Sequence, residues 1–182
     1  MVDARGLHGL ALCTNGPRHT RHSQLNDLIW RAVKKAQIPA SKEPIELSRA
    51  DGKRPDGATL VPWTRGKPLA WDVIVPDTYA ASQLQLTSTT PCAAAENAAV
   101  NKTTKYVALA AMHSFIPVAI EASGAWCLQS AEFMKDLGRR ITTIINEPLE
   151  TTEDVSNTTE RQCSRLLQYI ARALIFTYGR PS

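Results

Sequence analysis

Residues 53–75, which read KRPDGATLVPWTRGKPLAWDVIV, decide the fold. Residues 69–75 are apolar on both faces except for Asp72, and such a run predicts a central strand that is covered on both sides. Residues 58–62 predict a second strand, and residues 63–67 between the two strands predict a hairpin loop of ordinary length. The stretch therefore predicts an antiparallel hairpin with one aspartate inside its most apolar strand.

The hairpin brings a second aspartate to the first. A turn centred near residue 64 or 65 sets Asp72 opposite residues 56–58, so that Asp56 and Asp72 lie side by side at one end of the sheet. Neighbouring carboxylates repel and raise each other's pKa unless a cation lies between them, and a divalent ion is the usual resolution. The pair therefore predicts a Mg²⁺ or Mn²⁺ site. In the alternative interpretation Asp56 forms a turn, and Asp72 pairs with a buried arginine or caps a loop.

The remaining elements predict the fold class. Ser23 can cap a helix that runs to about residue 37. An alanine-rich helix is expected from residue 93 to about residue 112, and an amphipathic helix over residues 129–146. Between them, residues 114–122 contain a third apolar strand, which Pro117 directs to a sheet edge or a bulge. The order predicts an α/β domain with a mixed central sheet flanked by helices.

Three segments divide the 182 residues. Residues 1–22 have no clear period and predict an irregular basic arm. Residues 23–148 carry the predicted domain. Residues 149–182 predict an acidic, threonine-rich linker followed by a last helix.

Charge and cysteine content restrict the class of partner. Residues 1–68 carry 12 Lys and Arg against 6 Asp and Glu, which suits a polyanion approached from one side, although uneven surface charge alone would give the same count. No apolar run approaches the roughly 20 residues of a membrane helix, so no membrane partner is expected. The four cysteines are scattered without a CxxC pair, which argues against a disulfide framework and favours an intracellular location, nuclear or cytoplasmic.

The pattern around the two aspartates resembles a known nuclease family. Residues 53–56 read Lys-Arg-Pro-Asp, and after fifteen intervening residues, residues 72–75 read Asp-Val-Ile-Val. This arrangement resembles the PD-(D/E)xK core, and more closely the restriction-like endonuclease domain at the C-terminal end of some non-LTR retrotransposon polyproteins. The likeness covers about residues 5–148 and is clearest over residues 54–78.

The resemblance implies a restriction-endonuclease-like core and a metal-dependent DNA endonuclease that cleaves phosphodiester bonds. Asp56 and Asp72 would hold Mg²⁺ or Mn²⁺. The family's Asp-x-Lys is absent because Ile74 stands two residues after Asp72. The resemblance therefore points to a catalytic lysine on the following helix, with Lys105 preferred and Lys102 as the second candidate. Either lysine can equally belong to a solvated helix face.

Several further features match the family in part. Glu43, in a Glu-Pro pair, and Tyr106 would support the metal-binding carboxylates from outside, although Glu43 can also be a surface acid. His8 and Cys13 resemble the second half of a CCHC zinc knuckle, but no cysteine precedes His8, so no complete zinc site is expected. The family also implies a reverse transcriptase upstream. The likeness ends at about residue 152, which indicates a truncated fragment.

Basic residues are candidate DNA contacts, mainly to the phosphate backbone. They are Arg18, Arg21, Lys34, Lys35, Lys53, Arg54 and Arg65, together with Arg139 and Arg140. For Arg139 and Arg140 the competing interpretation is that one is an exposed charge and the other forms a pair at the end of its helix. Two other functions stay open: a catalytically silent or vestigial nucleic-acid-binding domain, and an interaction module that docks through an apolar C-terminal helix.

Overall fold

The apolar strand predicted over residues 69–75 lies inside a four-stranded sheet. The computed structural model describes residues 15–78, 85 and 87–145, with the backbone alone for residues 15–20 and 145. In chain order the elements are α1 (Asn15–Lys35), β1 (Ala40–Lys42), β2 (Gly57–Thr64), β3 (Lys67–Ile74), α2 (Ala93–Lys105), β4 (Ser114–Ala119) and α3 (Leu128–Ile145). Two 3₁₀ turns, Ile45–Leu47 and Val107–Ala111, complete them. The predictions for His8, Cys13 and residues 149–182 lie outside the described residues.

The sheet has mixed direction. Its order is β1-β2-β3-β4, with antiparallel pairing from β1 to β3 and parallel pairing between β3 and β4. Among the described strands β4 is at the edge, where Pro117 removes no ladder hydrogen bond that an outer neighbour would need. The predicted mixed α/β sheet with flanking helices is confirmed, and so is the edge position of Pro117.

The loop of the β2–β3 hairpin is shorter than the predicted 63–67. Only Arg65 and Gly66 connect the strands, with φ of 49° and 73°. Positive φ at both central residues is the mark of a type I′ turn, whose twist matches that of the flanking strands. The prediction of a five-residue loop was wrong because Trp63 is buried and continues β2.

Helices cover both faces of the sheet. One face of β3 carries Leu69, Trp71 and Val73, which pack with apolar residues of α1 and α3. The opposite face packs on α2, whose small alanines allow a close approach and place Ile74 against Ala95 and Ala99. Because side chains alternate along a strand, Asp72 belongs to the α2 face.

Two helix boundaries differ from those expected. α1 begins at Asn15, so residues 15–22 of the predicted irregular arm are helical; Pro17 falls in the first turn, where no N–H is required. α2 ends at Lys105 rather than near residue 112, because Tyr106 leaves the helical conformation and packs its ring on Phe115 with centroids 4.7 Å apart. α3 agrees with its prediction to within one residue at each end.

A buried carboxylate caps the N-terminus of α2. Glu121, after β4, is 2% exposed and accepts hydrogen bonds from the N–H groups of Ala94 and Ala95 at 3.0 and 3.4 Å. Its other oxygen accepts from the hydroxyls of Thr78 and Ser123. A negative charge is favoured at a helix N-terminus, so Glu121 fixes α2 to the end of β4.

Candidate functional site

Asp56 and Asp72 lie side by side, as the hairpin register predicts. Gly57 pairs with Trp71, so that Asp56, one residue earlier, stands opposite Asp72, one residue later. With the imidazole of His22, one ligand atom from each of the three side chains lies within 4.8 Å of the other two. The three residues come from α1, from the start of β2 and from β3, and we call them the His22 cluster.

The backbone and side chain of Asp56 are both fixed. Its Oδ2 accepts a hydrogen bond from the Val73 N–H at 2.6 Å. Its carbonyl accepts from the Glu43 N–H at 3.0 Å and from the Asn26 side-chain amide at 3.2 Å. Asn26 in turn accepts from the Trp71 indole N–H at 2.9 Å. A buried tryptophan in the core therefore fixes the backbone of Asp56 through the Asn26 amide.

His22 binds Asp56 directly. Its Nε2 lies 3.0 Å from Asp56 Oδ2, and the side chain is 36% exposed. The hydrogen bond to Asp56 raises the pKa of His22, with burial opposing and the Asp56 and Asp72 charges adding to the increase. The sequence prediction missed His22 because it placed residues 1–22 in an irregular arm. Extending the α1 pattern backwards from Ile29 through Asn26 gives His22 on the same stripe, which is the signal that was available.

Asp72 is the most buried member of the cluster. Its side chain is 4% exposed, and Lys102 Nζ donates to its Oδ1 at 2.8 Å. The Tyr106 hydroxyl lies near this carboxylate. Burial raises the pKa of Asp72, the Asp56 charge raises it further, and Lys102 and Tyr106 oppose both. Burial next to Asp72 likewise raises the pKa of Tyr106.

The structure therefore separates the two candidate lysines. Lys102, on the side of α2 that faces the sheet, contacts Asp72. Lys105 is exposed and lines an open cleft of about 390 Å³ with Arg49 and Tyr106. In that cleft the Arg49 guanidinium lies 5.4 Å from the centre of the Tyr106 ring.

Glu43 supports Asp56 with its backbone rather than with its carboxylate. The Glu43 N–H donates to the Asp56 carbonyl, while the exposed carboxylate pairs with Arg54. Tyr106, the other expected supporting residue, is buried and lowers the pKa of the Asp72 carboxyl.

Few of the predicted DNA contacts lie near the cluster. Lys53 and Arg54 are exposed in the segment that leads into Asp56. Arg21 adjoins His22 on α1 but is buried, and for Arg18 the structure describes the backbone alone.

The other predicted DNA contacts lie at a distance. Arg65 is in the hairpin turn, at the opposite end of β2 from Asp56. Lys34 and Lys35 are exposed near the C-terminus of α1, about 18 Å along the helix from His22.

Arg139 and Arg140 are partly occupied within the protein. Both pair with Asp136 on α3, at 3.8 and 3.1 Å. Arg140 also donates to the Trp63 carbonyl and lies 3.9 Å above the Trp63 ring centre. Arg140 therefore has a structural role at the far end of the hairpin.

The donor atoms of the His22 cluster suit a divalent metal ion. Two carboxylates and one imidazole, held on three elements, are ligands that such ions take. Asp56 and the buried Asp72 are also like charges whose repulsion a cation would relieve. The cluster can also hold itself together, since the protein supplies a donor to each carboxylate.

Comparison with known proteins identifies no relative. No protein-family model matches the chain, and no curated protein matches its sequence. Among the residues that the structure describes, no helix has the length and apolar character needed to cross a membrane.

Proposed function

We propose that the described fold, from α1 to α3, is a metal-dependent DNA endonuclease domain, derived from a retrotransposon and acting in the nucleus or cytoplasm. The observation that carries this proposal is the convergence of Asp56 and Asp72 within 4.8 Å, with Lys102 on the buried carboxylate. The resemblance of residues 53–75 to restriction-like endonucleases, which rests on the same two aspartates, also supports it, and the mixed sheet is compatible with such a core.

In this proposal Asp56 and Asp72 hold the ion. When bound, Mg²⁺ or Mn²⁺ polarises the scissile phosphate and lowers the pKa of a bound water. Val73 and Asn26 hold Asp56 in place through its carboxylate and its carbonyl. Lys102 holds Asp72 on the buried side, so both carboxylates are fixed before the substrate arrives.

Lys102 is the better candidate for the lysine role. As an ammonium donor to Asp72, it is suited to offset negative charge on the phosphate rather than to remove a proton. Lys105, in the open cleft next to Tyr106, suits contact with a neighbouring backbone phosphate. Lys53 and Arg54, which are exposed in the segment that leads into Asp56, are further candidates for such contacts. The reverse transcriptase that the resemblance implies upstream would deliver such a domain to its DNA.

A catalytically silent nucleic-acid-binding domain is the second candidate. The observation that favours it is that both carboxylates already have donors within the protein, from His22 and Val73 on Asp56 and from Lys102 on Asp72. A folded cluster therefore does not by itself require an ion.

A plasmid nicking assay separates the two functions. With Mg²⁺ or Mn²⁺ present we expect the wild type to relax supercoiled DNA, and Asp56→Ala, Asp72→Ala and Lys102→Ala to lose this activity. Lys105→Ala should still nick, but with weaker DNA binding and a shallower salt dependence of binding. The reason is that DNA binding releases fewer counterions when one phosphate contact is lost. Binding without nicking by the folded wild type, in either metal, would contradict the endonuclease and leave the silent domain.

Asp72→Ala provides the internal control for binding. Asp72 contributes metal affinity and negative charge but no phosphate contact, so DNA affinity in EDTA should be unchanged or slightly higher. Asp72→Asn, which keeps the shape of the side chain, guards against a loss of activity caused by unfolding. If either variant nicks like the wild type, Asp72 is a structural residue.

A further inference from the structure

His22 differs from the other cluster members in chemical type. Asp56 and Asp72 offer oxygen, whereas His22 offers an imidazole nitrogen at the same point, since its Nε2 is 3.0 Å from Asp56 Oδ2. The side chain sits at the open side of the cluster and is 36% exposed, while Asp72 closes the buried side at 4% exposed. A ligand entering from solvent therefore meets the imidazole first.

The 3.0 Å separation is suited to joint coordination. Adjacent ligands of an octahedral ion at about 2.1 Å lie about 3.0 Å apart, which is the distance between the His22 nitrogen and the Asp56 oxygen. The two atoms come from α1 and from the start of β2, and the core fixes both elements: Asn26, one turn after His22, bonds both Trp71 and the Asp56 carbonyl. The spacing is thus set by packed structure rather than by a mobile side chain alone.

The nitrogen donor discriminates among ions. Mg²⁺ prefers oxygen ligands and water. An imidazole nitrogen favours Mn²⁺ moderately over Mg²⁺, and this preference increases from Mn²⁺ through Co²⁺ to Zn²⁺. A site built from Asp56 and Asp72 alone would accept Mg²⁺ readily. Adding His22 shifts the same site towards transition-metal ions.

We infer that His22 is the third metal ligand of the cluster and makes it selective for Mn²⁺ and later transition-metal ions over Mg²⁺. This inference rests on the proposed function, because it concerns the same carboxylates, but it is read out by metal binding and not by cleavage. The competing role for His22 is that of a hydrogen-bond partner that only holds Asp56.

The experiment measures metal affinity on the full chain. Mn²⁺ binding is followed by electron paramagnetic resonance of free Mn²⁺, and Mg²⁺ binding by competition, for the wild type, His22→Gln and His113→Gln. Gln can place its amide near the position of Nε2 and retains hydrogen bonding to Asp56, so it removes the nitrogen ligand and leaves the structural contact. His113 lies just before β4, outside the cluster, and is the matched control.

We expect the wild type to bind Mn²⁺ more tightly than Mg²⁺ and His22→Gln to lose about tenfold or more in Mn²⁺ affinity, with a smaller change for Mg²⁺. His113→Gln should match the wild type. Substoichiometric Mn²⁺ should broaden the imidazole NMR signals of His22 before those of His113. Equal affinities for Mn²⁺ and Mg²⁺ in the wild type, unchanged Mn²⁺ affinity in folded His22→Gln, or no metal binding at all would overturn the inference.

The two proposals fail in different ways. Selective Mn²⁺ binding that depends on His22, without nicking in any metal, refutes the endonuclease and leaves the metal site. Nicking that is equally efficient with Mg²⁺ in the wild type and in His22→Gln refutes the role of His22 and leaves the endonuclease.

Discussion

Replacing Lys102 by methionine tests the electrostatics of the cluster more directly than removing a carboxylate does. Methionine keeps much of the aliphatic stem that packs on the sheet and removes only the ammonium group. Asp72 then loses its neighbouring positive charge, 2.8 Å away, with Asp56 still close. The expected result in EDTA at pH 8 is a loss of folding stability.

The magnitude follows from the burial of the two partners. Removing one partner of a fully buried ion pair costs about 3–5 kcal/mol, because the other charge stays buried. Asp72 is 4% exposed but Lys102 is 29% exposed, so water already screens part of the interaction. We therefore expect a loss of about 2–3 kcal/mol, which lowers the urea midpoint by about 1–2 M.

The loss should depend on pH with a definite sign. The pKa of Asp72 is raised by burial and by Asp56, and removing Lys102 raises it further. A carboxyl that holds its proton more tightly in the folded state than in the unfolded chain costs stability above its folded pKa. Below about pH 4 both states are protonated, and this cost disappears. The difference between Lys102→Met and the wild type should therefore be largest at pH 8 and shrink steadily towards pH 4.

Urea unfolding followed by tryptophan fluorescence, at several pH values in EDTA, measures this difference. Lys105→Met is the matched control: its ammonium lines the cleft instead of meeting Asp72, so it should change stability by less than about 0.5 kcal/mol at every pH. A pH-independent loss, or equal losses for the two variants, would refute the electrostatic reasoning. If the cluster binds a divalent ion, Mn²⁺ should restore part of the stability of Lys102→Met because the ion supplies the missing charge.

Two further predictions concern the framework of the site. Gly57→Ala places a methyl group 2.0–2.6 Å from the Trp71 ring. We therefore expect urea unfolding to show a loss of about 2–4 kcal/mol in folding stability from overpacking and disturbed hydrogen bonding. The loss should be much smaller in a Trp71→Leu background, and an equal loss there would disprove the clash. Glu121→Ala leaves the first amides of α2 without their acceptor and should lower folding stability by about 3 kcal/mol. Glu121→Gln keeps an acceptor oxygen and should lower it by about 1 kcal/mol. Hydrogen exchange at Ala94 and Ala95 checks this, and equal protection of these amides in both variants would exclude the cap.

The hairpin with its aspartate pair was predictable because its determinants are local in sequence. Prolines, a turn signal and an apolar run fix two adjacent strands, and antiparallel pairing then sets residue against residue by counting from the turn. Counted without interruption from the true turn, Arg65–Gly66, Asp72 would lie opposite Thr59. Two register shifts between Ala58 and Thr64 move the pairing by three residues, and these shifts bring Asp56 opposite Asp72. Asp72 also marked the site from the sequence alone, because a carboxylate in an apolar strand is costly to bury without a partner.

Only the tertiary structure decided what surrounds these carboxylates. His22, Asn26 and Lys102 reach them from helices whose rotation and position depend on packing against the sheet, and no local pattern encodes that. The choice of Lys102 over Lys105 depends on where α2 lies across β3, which the small alanines and the Glu121 cap set together. Charge counting carries no information about distance, and only the fold shows that Arg65, in the β2–β3 turn, lies at the opposite end of the hairpin from Asp56.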